Sequence, residues 1–187
     1  MDKNCSICGI DEAGRGCIAG SMFVCGVIAM KNELNNLRMI RDSKKVSRKV
    51  RDEIYSDVLK LNIKHFVVKS SAKKIDTFGI SRCIKDSITQ IMSNIRADKF
   101  IFDGNTNFGM NGLEYMIKGD VLIPQISLAS IIAKSLKDSE SDILDRIYPQ
   151  YGIAKHKGYG TKIHIENIRK FSLSPIHRKS FKIKTLD

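Results

Sequence analysis

Apolar and polar positions follow two rhythms along the chain, and each change of rhythm marks an element. Residues 6–11 and 20–30 are short, mostly apolar runs separated by Gly14, Gly16 and Gly20, which predicts two buried strands joined by a glycine-bearing turn. From Ser47, a side chain suited to an N-cap, Val50, Ile54, Val58 and Leu61 recur at helical spacing through a Lys/Arg-rich stretch. That pattern is a basic amphipathic helix. Residues 62–69 contain His65-Phe66-Val67-Val68 and read as a strand, after which Ile80, Ile84, Ile88, Ile91 and Ile95 mark a long helix. Lys99 to Asp103 reads as a short strand ending in a carboxylate, and residues 121–123 read as another. Ser127 is the expected N-cap of a helix over 128–147, with Ile131, Ile132, Leu136, Ile143 and Leu144 as its apolar stripe. A short basic tail follows from Tyr148. Strands paired by a hairpin and then interleaved with helices predict an α/β domain on a mixed sheet.

Composition narrows this picture. The 187 residues contain only three prolines, no repeat and no low-complexity tract, so one domain over 1–187 without an interdomain linker is expected. A hydrophobic share of 42% supplies a sizeable core and excludes overall disorder. Lys and Arg number 32 against 20 Asp and Glu, so a net charge of +12 sits on a folded surface and favours a polyanionic partner. No apolar run has membrane-spanning length, and the Met-Asp-Lys-Asn-Cys start is no secretory signal. The odd set of five cysteines fits a reducing cytosol better than a disulfide framework, and a soluble cytoplasmic protein is expected.

Candidate chemistry begins at Asp11 and Glu12, which close the first apolar strand just before the glycines. A desolvated carboxylate needs a compensating cation or hydrogen bonds, and a divalent metal supplies that compensation. An exposed turn with solvated acids is the plainer alternative. Strand alternation sends the two side chains to opposite faces, so both serve one site only if the strand breaks there. Asp103 repeats the layout of apolar strand, acid and glycine, although an ordinary Asp-Gly turn has the same pattern. Asp138 lies seven residues after Ile131 and therefore on the same side of its helix. Its alternative is a solvated last turn with Glu140, Asp142 and Asp145. Oxygen-only ligands select magnesium or manganese. Two such ions about 3.5–4 Å apart can activate water and stabilise the leaving oxygen of a phosphodiester.

Seven motifs follow one another along the chain, beginning with Gly9-Ile10-Asp11-Glu12-Ala13-Gly14-Arg15-Gly16, Asp42-Ser43-Lys44-Lys45, Asp103-Gly104-Asn105 and Lys118-Gly119-Asp120. The series continues through Ala129-Ser130-Ile131-Ile132-Ala133-Lys134 with Asp138, His156-Lys157-Gly158-Tyr159-Gly160-Thr161, and Ser174-Pro175-Ile176-His177-Arg178. Through these motifs the chain bears a resemblance, over nearly its whole length, to ribonuclease HII. The resemblance implies a ribonuclease H-like fold, a five-stranded mixed sheet flanked by helices, with a small helical C-terminal part from about residue 148 that contacts substrate. By the same resemblance Asp11, Glu12, Asp103 and Asp138 are the catalytic acids. They would hold two Mn2+ or Mg2+ ions, with Asp11 as the bridging ligand. Gly14, Arg15 and Gly16 would contact the ribonucleotide 2'-hydroxyl through their backbone, and Tyr159 would pack on the sugar of the following deoxynucleotide. The 2'-hydroxyl is what separates RNA from DNA locally, and glycines let a backbone approach it.

The implied activity is endonucleolytic cleavage of the RNA strand of RNA–DNA hybrids, and of duplex DNA 5' to single embedded ribonucleotides, leaving 3'-hydroxyl and 5'-phosphate ends. A monomer with no membrane partner is expected. The alternatives are a ribonuclease H-like nuclease that needs several consecutive ribonucleotides, and a non-catalytic hybrid-binding module. Ser43, Lys44, Lys45 and Arg178 are candidate phosphate contacts, while most of the remaining charge run at Arg48, Lys49 and Arg51 reads as a solvated face. Cys17 stands where the family usually has proline and Lys137 where arginine is common, which loses a bidentate fork. Cys5-Ser6-Ile7-Cys8 has no second pair, and His65, His156, His164 and His177 lack tight metal spacing, so zinc is not expected.

Overall fold

The long helix Pro124–Ile147 lies almost in backbone contact with the central strand Ile7–Ala13, and a glycine makes that possible. A Cβ on Gly9 would stand 2.3 Å from the Ile126 backbone nitrogen. The structure, a computed structural model, describes residues 5–37 and 46–182. Its strands are β1 (Ile7–Ala13), β2 (Met22–Ile28), β3 (His65–Ser70), β4 (Lys99–Asp103) and β5 (Leu113–Met116). They form one sheet in the order β3-β2-β1-β4-β5. The β1–β2 and β2–β3 pairs are antiparallel, whereas β1–β4 and β4–β5 are parallel, so the sheet is mixed, with β1 at its centre.

Two layers of helix cover the sheet. On one face Phe23, Cys25 and Val27 pack against Leu128, Ile131 and Ile132 of α6 (Pro124–Ile147) and against Ile54 and Val58 of α2 (Arg48–Lys60). On the other, Cys8, Ile10, Met22 and Val24 meet the isoleucine stripe Ile84, Ile88 and Ile91 of α4 (Ile80–Asn94). Strand alternation and the helical stripe thus point at each other, as the sequence periodicities require. A smaller cluster of Ile18, Ala19, Tyr151, Ile153, Ile168 and Ile176 ties the C-terminal segment to the turn after β1. That segment includes α7 (Ile153–His156) and α8 (Lys162–Phe171). Among the described residues no helix is long and apolar enough to cross a membrane.

Several elements differ from expectation. Residues 121–123 are not a strand: Val121 and Leu122 belong to the short helix α5 (Gly119–Leu122) and are 65% and 66% exposed. The additional strand is β5 instead, an edge strand in which Glu114 and Tyr115 face solvent and blur the apolar alternation. Helix α6 starts at Pro124 rather than after Ser127. Proline at the first position needs no amide partner, and Ser127 is buried inside the helix. The short helices α1 (Lys31–Asn36) and α3 (Ala72–Phe78) have no counterpart in the sequence reading.

Candidate active site

Parallel pairing matches Ile10 with Phe102, and the next residues on the two strands are Asp11 and Asp103. Both carboxylates therefore emerge at the same end of the sheet. The strand does not break between Asp11 and Glu12, contrary to the expectation for a shared site, because β1 stays paired to β2 through Ala13. The two acids meet through Asp103 instead, whose charge acts on both. Asp11 is buried and accepts the Glu12 backbone N–H at 2.7 Å. Burial, then the neighbouring Glu12 charge, pushes its carboxyl up to about 8. Burial also raises Glu12, against the opposing charge of Arg15, which donates to Glu12 Oε1 at 3.4 Å. Glu12 Oε2 is buried without a hydrogen-bond partner, and the buried Ser130 of α6 turns its hydroxyl toward Asp11, which works against the rise. Asp103 accepts the Gly119 N–H at 3.1 Å, so α5 steadies it from behind.

Asp138 is not on a solvated last turn. It is buried, and Arg51 of α2 donates to it at 2.6 Å while also holding the Val46 carbonyl at 2.8 Å. Asp142 is paired with Arg48 and Lys157, and Asp145 accepts the Ala154 N–H at 3.0 Å. Ser130, Lys134 and Asp138 are spaced four residues apart and so share one face of α6. Asp11, Glu12 and Asp103 thus form one acidic group, with Asp138 about 12 Å farther along α6 than Ser130 at 1.5 Å per residue. Among the described residues no three carboxylate, histidine or cysteine groups close into a ready-made metal cage.

Asp138 lines a cavity of about 290 Å³ together with Ala13, Gly14 and Tyr159. Arg51, Lys134, Lys137 and Lys157 complete its wall and make it cationic. None of these four emerged as a site residue from the sequence. The available signal was Lys134, four residues before Asp138 and so on its helix face, with Lys137 immediately preceding it. Lys137 is buried beneath the turn after β1, with Nζ 3.3 Å from Glu140 and 3.4 Å from the Ala19 carbonyl, and burial lowers its pKa.

The turn and the tyrosine come together. A Cβ on Gly16 would lie 3.9 Å from the half-exposed Tyr159 ring, so only the glycine backbone separates ring from turn. Arg15 is on the exposed side of that turn. Arg178 is a correction. Expected as a phosphate contact, it is 1% exposed and its guanidinium donates inward to the carbonyls of Gly20 (3.1 Å), Arg15 (2.9 Å) and Gly14 (2.7 Å). It clamps the turn and presents no charge to solvent. Ser43, Lys44 and Lys45 lie outside the described residues. Cys5 is exposed and Cys8 buried, and the five cysteines are free thiols.

A mixed sheet of this order, with carboxylates at the ends of its two central parallel strands, defines the ribonuclease H-like class of α/β proteins. Solved structures share the fold. The ribonuclease HII of the PCNA complex from Archaeoglobus fulgidus superposes with a TM-score of 0.81 at 24% identity, covering 95% of this chain and 96% of that one. The Bst ribonuclease HIII in complex with Mn2+ gives a TM-score of 0.75 at 16% identity, covering 95% of this chain and 67% of that one. In sequence, the ribonuclease HII of Sulfurovum sp. (strain NBC37-1) is 44% identical over 181 residues, 97% of this chain and 94% of its own. The family model for ribonuclease HII matches residues 8–184. The chain belongs to the ribonuclease HII family and is a ribonuclease H enzyme.

Proposed function

We propose that this ribonuclease H hydrolyses the RNA strand of RNA–DNA hybrids and also cuts 5' to a single ribonucleotide embedded in duplex DNA, leaving 3'-hydroxyl and 5'-phosphate ends. One observation carries the reading: Gly14, Tyr159 and Asp138 line the same cationic cavity. A backbone able to approach a ribose hydroxyl, a ring able to lie on the next sugar and an acid of the site are thereby within reach of one phosphodiester. A deoxyribose under Tyr159 packs differently from a ribose, because the added hydroxyl must be accommodated against the ring. Lys134, Lys157 and the +12 net charge favour the phosphates of any nucleic acid, so selection falls to the sugar contacts.

Divalent ions fit the acidic group. Its donors are hard oxygens, Glu12 Oε2 is buried without a partner, and the crowded carboxyls are shifted toward protonation, as expected of acids lacking a counter-cation. Asp11, Glu12 and Asp103 would hold Mg2+ or Mn2+, with Asp138 approaching from α6. Bound there, a pair of ions supplies an activated water and stabilisation of the departing 3'-oxygen. The chain's own work is positional: Gly119 aims Asp103, Arg51 aims Asp138, and Arg178 fixes the turn that faces the ribose.

The test compares two duplexes, one with a single embedded ribonucleotide and one with an all-RNA strand on DNA, each with magnesium and with manganese. Cleavage of both, with the embedded duplex cut on the 5' side of its ribonucleotide, is expected. Cleavage of the long hybrid alone would replace the proposal with a nuclease that needs consecutive ribonucleotides. Binding without cleavage of either would replace it with a hybrid-binding module.

A further inference from the structure

Three histidines far apart in the sequence converge behind Tyr159. His156 of α7, His164 of α8 and His177 of the tail are all buried, His164 completely. Their partners determine where each proton sits, because a backbone carbonyl only accepts and a backbone N–H only donates. His164 Nδ1 lies 2.9 Å from the Tyr159 carbonyl and so carries the hydrogen, which leaves Nε2 bare. His177 Nδ1 lies 3.0 Å from the Ser174 amide nitrogen and so is bare, which puts its hydrogen on Nε2. The two Nε2 atoms are 3.1 Å apart, one a donor and the other an acceptor. Hydrogen bonds therefore run one way, from Ser174 through His177 and His164 to the Tyr159 carbonyl, with no charged ring.

The chain is braced. His156 stacks on His164 at 4.2 Å between ring centres, accepts the Gly158 N–H at 3.3 Å and donates to the Tyr151 carbonyl at 3.0 Å. The Tyr151 ring meets His177 edge-on. On its far side the same loop docks on the turn after β1, where the Gly158 carbonyl accepts from Ile18 (2.9 Å) and Ala19 (3.2 Å). The residue next to His177 is Arg178, which holds Gly14 and Arg15. Two consecutive residues thus grip the two groups that face the sugars, His177 through His164 and Arg178 directly.

We infer that His164 and His177 are positioning residues, and that the 174–178 turn sets the spacing between Tyr159 and the Gly14-Arg15-Gly16 turn on which junction preference depends. The inference rests on the proposed reading of those two groups. It requires a hydrogen bond of defined direction, not merely filled volume.

The experiment measures kcat and KM of the full chain on the embedded-ribonucleotide duplex and on the long hybrid for wild type, His164→Leu and His164→Asn. Leucine fills space without a donor, whereas the asparagine amide offers an N–H close to where Nδ1–H stood. In His164→Leu the ratio of kcat/KM for embedded over long substrate should fall about tenfold, through KM, the effect of leaving the buried His177 Nε2–H without an acceptor and the Tyr159 carbonyl held by the Thr161 N–H alone. His164→Asn should recover most of that ratio. Equal losses on both substrates, or an asparagine variant no better than leucine, would overturn the inference while leaving the nuclease reading intact. A wild-type chain that does not cut the embedded duplex overturns the junction reading and this inference with it. Imidazole nitrogen-15 shifts of wild type give an independent answer should either variant misfold. The expected forms at neutral pH are Nδ1–H for His164 and Nε2–H for His156 and His177, and an Nε2–H or doubly protonated His164 would overturn the chain.

Discussion

Replacing Arg178 with glutamine separates two roles that a basic residue beside the proposed substrate-binding turn could have. The guanidinium makes three inward bonds, to the carbonyls of Gly20, Arg15 and Gly14, and is 1% exposed. A glutamine amide has two N–H groups on one nitrogen and cannot span this fan, so at least one buried carbonyl loses its partner and the other bonds lose their charge assistance. That loss is about 3 kcal/mol, from roughly 1–3 for an unpaired buried group plus the weakening of the others. For a domain of this size each kcal/mol moves the melting temperature by about 2–4 °C, so Tm should fall by about 6–12 °C. Hybrid affinity should drop at every salt concentration with an unchanged log–log salt slope. A true phosphate ligand behaves in the opposite manner: its loss flattens the slope by about 0.9 and barely touches Tm. Thermal unfolding and a salt titration of hybrid binding decide the matter. A flattened slope with an unmoved Tm would refute the buried-clamp argument.

Three further outcomes follow from the geometry. Asp103→Asn keeps an oxygen for the Gly119 N–H but removes a charge from the acidic group, so cleavage should disappear while hybrid binding stays equal or tightens; turnover at the wild-type rate would remove Asp103 from the chemistry. Burial holds His164 at about 4, below its unfolded value of 6.5, with His156 stacked on it, His177 and the Tyr159 backbone bonded to it, and both other rings also shifted down by burial. The unfolded chain therefore binds the proton first, and roughly 3 kcal/mol of stability, complete above pH 6.5, is lost as pH falls toward 4. Unfolding measured at pH 7 and 4.5 should show that loss in wild type and a smaller one in His164→Asn. Gly158→Ala places a Cβ 2.3 Å from the Ala19 carbonyl at a backbone φ of +86°. Strain of at least about 1–2 kcal/mol should lower Tm by at least about 2 °C and raise KM on the embedded duplex more than on the long hybrid.

Burial pattern explains which elements were legible in the sequence. The strands β1, β2, β3 and β4 and the helix α4 bury runs long enough for their periodicity to dominate. The triplet at 121–123 is apolar yet exposed, and β5 is a strand yet polar at the edge, so pattern and burial disagree at both places. The acids were legible as candidates because a carboxylate ending an apolar strand is locally anomalous. How they meet was not, since it depends on the parallel register of β1 with β4, a relation between residues about 90 positions apart. Arg178 and the histidines were less legible still. Their partners are mostly backbone carbonyls and amides, which carry no residue-type signature, so an arginine that clamps a turn and one that contacts phosphate look alike in sequence.

The two departures from the family pattern gain a physical sense at the same turn. A proline at position 17 would stiffen the turn by fixing one backbone torsion. Cys17 instead donates its thiol hydrogen to the Lys157 carbonyl at 3.3 Å, so the turn is tied across to the loop that carries Tyr159. Burial raises the thiol's pKa, and the sulfur stays a neutral donor. Lys137 sits below, where its single ammonium reaches Ala19 and Glu140 at 3.4 and 3.3 Å, and Glu140 in turn accepts the Ser21 N–H at 2.9 Å and pairs with Lys69. A lysine can serve there because the fork-shaped contact is made by Arg178, whose guanidinium covers both sides of the turn. The turn is thus held in this chain by a thiol, an ammonium and a guanidinium together, with no proline ring at position 17.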